Sequence, residues 1–123
     1  MDIIVRKAQL CDIPDILKMN DELNGAGATI ESMKEALEDN ESEIVFVAIF
    51  NNAAVGFICG QVYKSICYAD GSQCEITELF VQEKYRRNGI AALLIKELEL
   101  ELLKNNAKEI IVKTGKKNIG AKW

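Results

Sequence analysis

The chain has 123 residues, a formal net charge of −4 and an apolar share of 49%. That length and apolar share fit a single domain spanning residues 1–123 around one core, and internal repeats and low-complexity stretches are absent. No run of about 18 apolar residues occurs, so no membrane span is expected, and the acidic total without an aromatic–basic stacking pattern argues against a nucleic-acid partner.

In chain order, Ile3-Ile4-Val5-Arg6 reads as a short strand. Asp12 then caps a helix with Pro14 in its first turn, and Ile13, Ile16, Leu17 and Leu23 fall on one face. Asn24 to Ala28 is a loop. Thr29 caps a second short helix that reaches Asp39 and turns Ile30, Met33 and Leu37 inward. Glu43 to Phe50 is a strand of high β-propensity. Asn51-Asn52 fits a tight hairpin turn, and Ala54 to Tyr63 is the partner strand. Within it, Gly56 and Gly60 let a neighbouring chain approach closely. Lys64 to Gly71 is a long turn supported by Asp70-Gly71. Glu75 to Val81 is the next strand, so strands two to four form an antiparallel meander. Ile90, Leu93, Leu94, Leu98 and Leu102 recur at helical spacing. Asn105-Asn106 stops that helix, and Lys108 to Thr114 is a strand entering beside the fourth as a βαβ crossover. The alternation predicts a layered α+β fold, a mixed and mostly antiparallel sheet flanked by helices.

Chemistry concentrates between the fourth strand and the long helix. A strand–turn–helix with glycine at the turn points several backbone N–H groups at one spot. The helix dipole adds positive potential there, and Arg86 and Arg87 add full charges, which is the physics of a phosphate or pyrophosphate site. The charge distribution agrees, since residues 1–80 carry −9 and residues 81–123 carry +5. An anionic cofactor at the basic end and a cationic acceptor drawn to the other fit this asymmetry. Neither GxGxxG nor GxxxxGK[ST] is present, which disfavours a dinucleotide-binding or P-loop protein. The chain has no histidine, which excludes a Ser-His-Asp or Cys-His mechanism and a His-ligated zinc, and no metal is expected. Cys11, Cys59, Cys67 and Cys74 form no CxxC pair, and no basic-then-apolar leader is visible. They read as reduced thiols of a cytoplasmic protein.

Arg86-Arg87-Asn88-Gly89-Ile90-Ala91 resembles the Arg/Gln-x-x-Gly-x-Gly/Ala signature of the GCN5-related N-acetyltransferases, the GNAT family. Leu79-Phe80-Val81 and Tyr85 resemble that family's approach to the loop, Ala8 and Asp12 its opening, and the hairpin of strands two and three its central pair. The resemblance implies an acetyl-CoA-dependent N-acetyltransferase in which acceptor and cofactor meet in a ternary complex. It assigns Arg86, Arg87, Asn88, Gly89, Ile90, Ala91 and Ala92 to the cofactor. It also implies that the fourth and fifth strands splay, so that the pantetheine arm bonds the backbone of Leu79, Phe80 and Val81. Asn118-x-x-Ala121 resembles a helix start whose Asn contacts the same arm. The resemblance brings the loop Asn24 to Thr29 beside an acceptor pocket, with Asp21 and Glu22 as further carboxylates.

Glu75 matches the strand position where some members carry a general-base glutamate, and Glu78 is the other carboxylate there. Strict alternation would point the two to opposite faces unless a bulge intervenes. The family's leaving-group tyrosine falls four residues after Ala121, beyond Trp123, and its last two strands are missing. The fifth strand is then left with an exposed edge, which favours a homodimer. The implied acceptor is a small cationic amine: aminoglycoside-like, a polyamine or a peptide amine. The alternative is a non-catalytic acetyl-CoA- or acyl-CoA-binding or regulatory module, which the shortened end favours.

Overall fold

The computed structural model describes residues 2–39, 42–63, 67, 73–104, 109–112 and 121–122. Its elements are β1 (Ile4–Lys7), α1 (Ile13–Asn24), α2 (Ile30–Asp39), β2 (Glu43–Phe50), β3 (Ala53–Tyr63), β4 (Gln73–Val81), α3 (Ile90–Lys104), β5 (Glu109–Val112) and β6 (Ala121–Lys122). The sheet runs β1-β2-β3-β4-β5, with β6 also on β4. The first four strands are antiparallel, whereas β5 and β6 lie parallel to β4. Asn51 and Asn52 adopt φ of 51° and 63°, the left-handed pair that a two-residue hairpin with right-handed strand twist requires. The expected meander and βαβ crossover are both present.

The sheet is covered on two faces. Ile90, Leu94, Leu98 and Leu102 repeat every four residues along α3 and pack on Val55, Ile58, Cys74, Ile76, Leu79 and Val81. Leu93, one position from Leu94, is rotated about 100° away on a 3.6-residue helix and is 40% exposed, so it lies on the outer side of the stripe expected for it. On the opposite face, Ile16 and Met19 of α1 pack with Val47, Phe57 and Phe80. The two strand glycines are tight points against α3 and β4. A Cβ on Gly60 would lie 3.1 Å from both Leu98 methyl carbons, and one on Gly56 would lie 3.0 Å from the Phe80 carbonyl oxygen.

Three further expectations change. α2 begins at a reciprocal cap, with Ser32 N–H donating to Thr29 Oγ1 at 3.0 Å and Thr29 N–H to Ser32 Oγ at 2.9 Å. Yet the helix has no fully buried residue and Ile30 is 47% exposed, because only its middle, at Met33 and Leu37, reaches over the sheet. Near the C-terminus, Ala121–Lys122 is extended and paired with β4, where a helix start was expected; the unpaired backbone edge of β4 offers these residues a ladder. Asn118, Asn105-Asn106 and the Asp70-Gly71 turn lie outside the described residues.

The third change concerns Asp12, which does not cap α1 with its side chain. Its carboxylate turns back to accept from Gln9 N–H at 2.7 Å and from both terminal nitrogens of Arg6 at 2.7 and 2.9 Å. This fork ties β1 to the start of α1. Burial pushes the Asp12 carboxyl up, but the Arg6 and Gln9 hydrogen bonds and the Arg6 charge together hold it below the usual carboxylate value. A depressed carboxylate contributes stability that is present above its unfolded value, about 3.9, and lost as pH falls through the folded one. Asp12→Asn is therefore expected to cost about 1–3 kcal/mol in urea unfolding at pH 7. The gap to the native chain should close progressively as pH falls below about 4 and through the lowered native value, as the native carboxyl takes up its proton.

Candidate active site

The loop after β4 is held from both sides. Gln82 N–H donates to the Val55 carbonyl at 2.9 Å, fixing the loop entry on β3. Arg86 turns inward: its Nε donates to the Val81 carbonyl at 2.7 Å, and its guanidinium lies 5.4 Å from the centre of the Phe80 ring. Asn88 spends its side-chain amide on the Tyr85 and Arg86 carbonyls at 3.1 and 3.2 Å. Tyr85 packs edge-on against Phe50 at 5.6 Å between centroids. Arg87, exposed, adopts φ of 66°, a conformation uncommon outside glycine and worth a functional explanation.

Gly89 has φ of 78°, and a Cβ there would meet nothing within 4 Å. The space above the turn is open, and α3 starts at the next residue. The first N–H groups of that helix have no intrahelical acceptor. They border a cavity of ≈370 Å³ with Arg86, Arg87, Ile90, Ala91 and Ala92 on its wall. The loop residues singled out in the sequence are thus brought together, but unequally. Arg87, Gly89, Ala91 and Ala92 face the cavity freely, Arg86 lines it while bonded to β4, and Asn88 braces the turn from behind.

The outer edge of β4 is shared. Among the described residues, β5 pairs with it from Gln73 to Ile76; the expected splay beyond that point falls on residues outside the described ones. Further along, Leu79 and Phe80 stand opposite Ala121 and Lys122.

The two glutamates of β4 are not on opposite faces. Cys59 pairs with Glu78 and Gly60 with Ile76, leaving Thr77 as an extra residue, a β-bulge. Its hydroxyl donates to the Cys59 carbonyl at 3.3 Å. Cys74 and Ile76 before the bulge, and Leu79 and Val81 after it, all pack toward α3. Glu75 and Glu78 therefore both project toward the α1 face. Three cross-strand rows grade that face from apolar to polar: Val47-Phe57-Phe80, then Val45-Cys59-Glu78, then Glu43-Gln61-Glu75.

Glu75 accepts from the Tyr63 hydroxyl at 2.8 Å. Glu78 accepts from the Asn24 amide at 3.2 Å, which brings the start of the α1–α2 loop to it, and it lines a cavity of ≈190 Å³ beneath α1 and α2. Asp21 and Glu22 are exposed on α1. Glu43, unnoticed in the sequence, lines the same cavity. Burial pushes its carboxyl up and the nearby Glu78 adds to this, against a Gln61 hydrogen bond that lowers it. The available signal was the alternation of Glu43 with Val45 and Val47, which puts all three on one face. Cys59 lies between the two carboxylates, and burial first, then their charges, pushes its thiol well up. It is a poor nucleophile there. Among the described residues, no helix is long and apolar enough to cross a membrane.

The family model of the acetyltransferases (GNAT) matches residues 13–122. Among curated proteins, no relative matches the chain. Solved structures are similar in fold. An aminoglycoside acetyltransferase from an uncultured soil metagenomic sample, in complex with sisomicin, has a TM-score of 0.80 at 20% identity, covering 93% of this chain and 78% of that one. AAC(6')-Iy in complex with the bisubstrate analog CoA-S-monomethyl-acetylneamine gives 0.79 at 15%, with coverages of 96% and 83%. Glucosamine-6-phosphate N-acetyltransferase from Arabidopsis thaliana gives 0.82 at 13%, with 96% and 86%. At these identities the likeness is one of fold.

Proposed function

The chain belongs to the GNAT acetyltransferase family, and from that premise we propose that it moves an acetyl group from acetyl-CoA to a primary amine of a small cationic acceptor. The observation that carries this reading is the pairing of two neighbouring features. One is an open, basic helix-start loop at Arg87–Ala92. The other is a carboxylate, Glu78, one residue from the β4 edge and facing a cavity on the acidic side of the sheet.

The loop fits the cofactor's pyrophosphate on two grounds. The space over Gly89 is clear of side chains, and the first N–H groups of α3 are donors without intrahelical acceptors. Arg87 supplies the mobile charge, while Arg86, Asn88 and Ile90 shape the turn that aims those donors. The backbone of Leu79, Phe80 and Val81 would hold the arm, taking the β4 edge in exchange for Ala121–Lys122, and Asn118 is a further candidate for that arm. When bound, acetyl-CoA supplies an activated acetyl group: the acceptor nitrogen bonds to the thioester carbon, the C–S bond breaks, and its electron pair leaves on the CoA sulfur.

The chain's own part is positioning and proton handling. The N–H of Phe80 or Val81 donates to the thioester oxygen as negative charge builds there. Glu78 draws the acceptor ammonium to the β4 edge and takes its first proton, directly or through one water, as the nitrogen becomes a nucleophile. Glu75 lies one row further on and bonds Tyr63, which supports a role in holding the acceptor or relaying the proton. The family reading favours turnover over a purely acyl-CoA-binding module.

Calorimetric titration of acetyl-CoA into the chain tests the first half. Arg87→Ala should weaken affinity by roughly 10- to 150-fold, as one charge-assisted contact to phosphate is worth about 1.5–3 kcal/mol. Absence of binding by the folded native chain would overturn the assignment.

A further inference from the structure

The cavity beneath α1 and α2 narrows the acceptor further, and this step rests on the acetyl-transfer reading above. At ≈190 Å³ it exceeds the ~150 Å³ of an apolar void that takes up benzene. Six of its walls are Ile13, Ile16, Met33, Leu37, Val45 and Phe57. It does not close into core because α2 brings no fully buried side chain to it. Its few polar groups are Asn20, Glu43, Glu78 and the Cys59 thiol. Glu43 is close enough to Glu78 for the Glu78 charge to help push its carboxyl up, and both carboxylates push up the Cys59 thiol between them.

A polyhydroxylated ring placed here would lose water from its hydroxyls against aliphatic walls that return no hydrogen bonds. An apolar group would lose nothing and gain burial. Two carboxylates at the mouth have no cation of their own among the described residues' ion pairs, which are Arg6 with Asp12 and Lys7 with Glu101. A ligand carrying one positive charge and a compact apolar body matches both halves of the site.

We propose that the acceptor is a primary amine bearing a compact apolar substituent, a phenyl or branched alkyl group, which enters the cavity under α1 and α2 while Glu78 and Glu43 hold its ammonium beside the β4 edge. The specificity-determining residues are then Leu37 and Met33 of α2 with Ile16 and Phe57 opposite. The reaction is unchanged: N–C bond formed, C–S bond broken, the ammonium's first proton to Glu78 and the second, released as the amide forms, to the departing CoA thiolate through solvent.

The test is a panel of singly charged amines with acetyl-CoA: 2-phenylethylamine, isopentylamine and ethylamine, with spermidine and kanamycin as polar comparators. The two apolar amines should exceed ethylamine in kcat/KM by roughly 10- to 100-fold, the range a filled apolar pocket gives. Leu37→Trp, which fills the cavity from the half-buried side of α2, should bring that ratio close to one, and Met33→Trp serves the same purpose if the first variant does not fold. Equal kcat/KM for ethylamine and 2-phenylethylamine, or faster turnover of kanamycin or spermidine, would overturn the apolar acceptor and leave acetyl transfer standing. The cavity is also read without turnover. Calorimetry of 2-phenylethylamine against ethylamine on the full chain, with and without acetyl-CoA, should show at least roughly tenfold tighter binding of the former. Equal affinities overturn the proposal even if acetyl-CoA binds, whereas loss of acetyl-CoA binding alone strikes only at the reaction assigned above.

Discussion

Glu78→Gln is expected to lower kcat for the acceptor amine by about 10²–10⁴-fold, the range for removing a positioned general base, with acetyl-CoA affinity left within about twofold. The substitution keeps the side-chain volume and the Asn24 contact while removing the proton acceptor. Initial rates with saturating acetyl-CoA and calorimetry of the same preparation check the two halves separately. Glu75→Gln provides the internal comparison. Its carboxylate is hydrogen-bonded to Tyr63 at 2.8 Å, lies one cross-strand row from Glu78 and does not line the cavity. A smaller effect is expected, expressed mainly as a raised KM. A larger fall in kcat for Glu75→Gln than for Glu78→Gln would exchange the two roles.

The largest stability effect is expected at Leu98. It is fully buried, in the middle of α3, with both methyl groups against the backbone of Gly60. Leu98→Ala should cost about 2–5 kcal/mol, the transfer free energy of the lost methyl groups plus a cavity term. Much of a small domain's stability, about 5–15 kcal/mol, would go with it. The contact also predicts non-additivity. Gly60→Ala alone drives a methyl to 3.1 Å from Leu98 and from the Cys74 sulfur, an overpacking expected to cost about 1–3 kcal/mol. In the Leu98→Ala background the same methyl enters vacated space, so the double variant should be more stable than the sum of the two losses by about 1 kcal/mol or more. Urea unfolding of the four proteins closes the cycle, and strict additivity would show that the two residues do not share this space.

What could be read from the sequence is what local physics dictates. The Asn51-Asn52 hairpin needed only two residues tolerant of positive φ between two apolar strands. The βα turn at Arg86–Gly89 needed only a glycine, a strand before it and a four-residue apolar repeat after it. Gly56 and Gly60 read as close approaches from composition alone, and an added Cβ at either would crowd β4 or α3. What escaped was set by pairing between distant segments. The extra residue at Thr77 is visible only once β3 fixes the register of β4, so Glu75 and Glu78 could not be placed on one face from their spacing. Glu43 is 35 positions from Glu78 in the chain, and only the β2–β3–β4 ladder brings them to one cavity. Asp12 looked like a helix cap because the helix begins after it; its carboxylate was claimed instead by Arg6 on β1. The acceptor loop at Asn24 was assigned from resemblance, and its amide does reach Glu78.

Thr77 also changes how this strand answers to changes in length. The bulge divides β4 into two stretches of opposite parity, one in which even-numbered residues look toward α3 and one in which odd-numbered residues do. Deleting Thr77 would restore an uninterrupted two-residue rhythm with every neighbour still on its present face, whereas adding a residue to either stretch would force that stretch to invert. Either Cys74 and Ile76 would turn outward and Glu75 inward among leucines, or the Leu79–Val81 stretch would do the same with Glu78. Elsewhere in the chain a loop absorbs the gain of a residue; here the sheet has no slack to absorb it. The count of residues in β4 is therefore as much a part of the site as the side chains it carries.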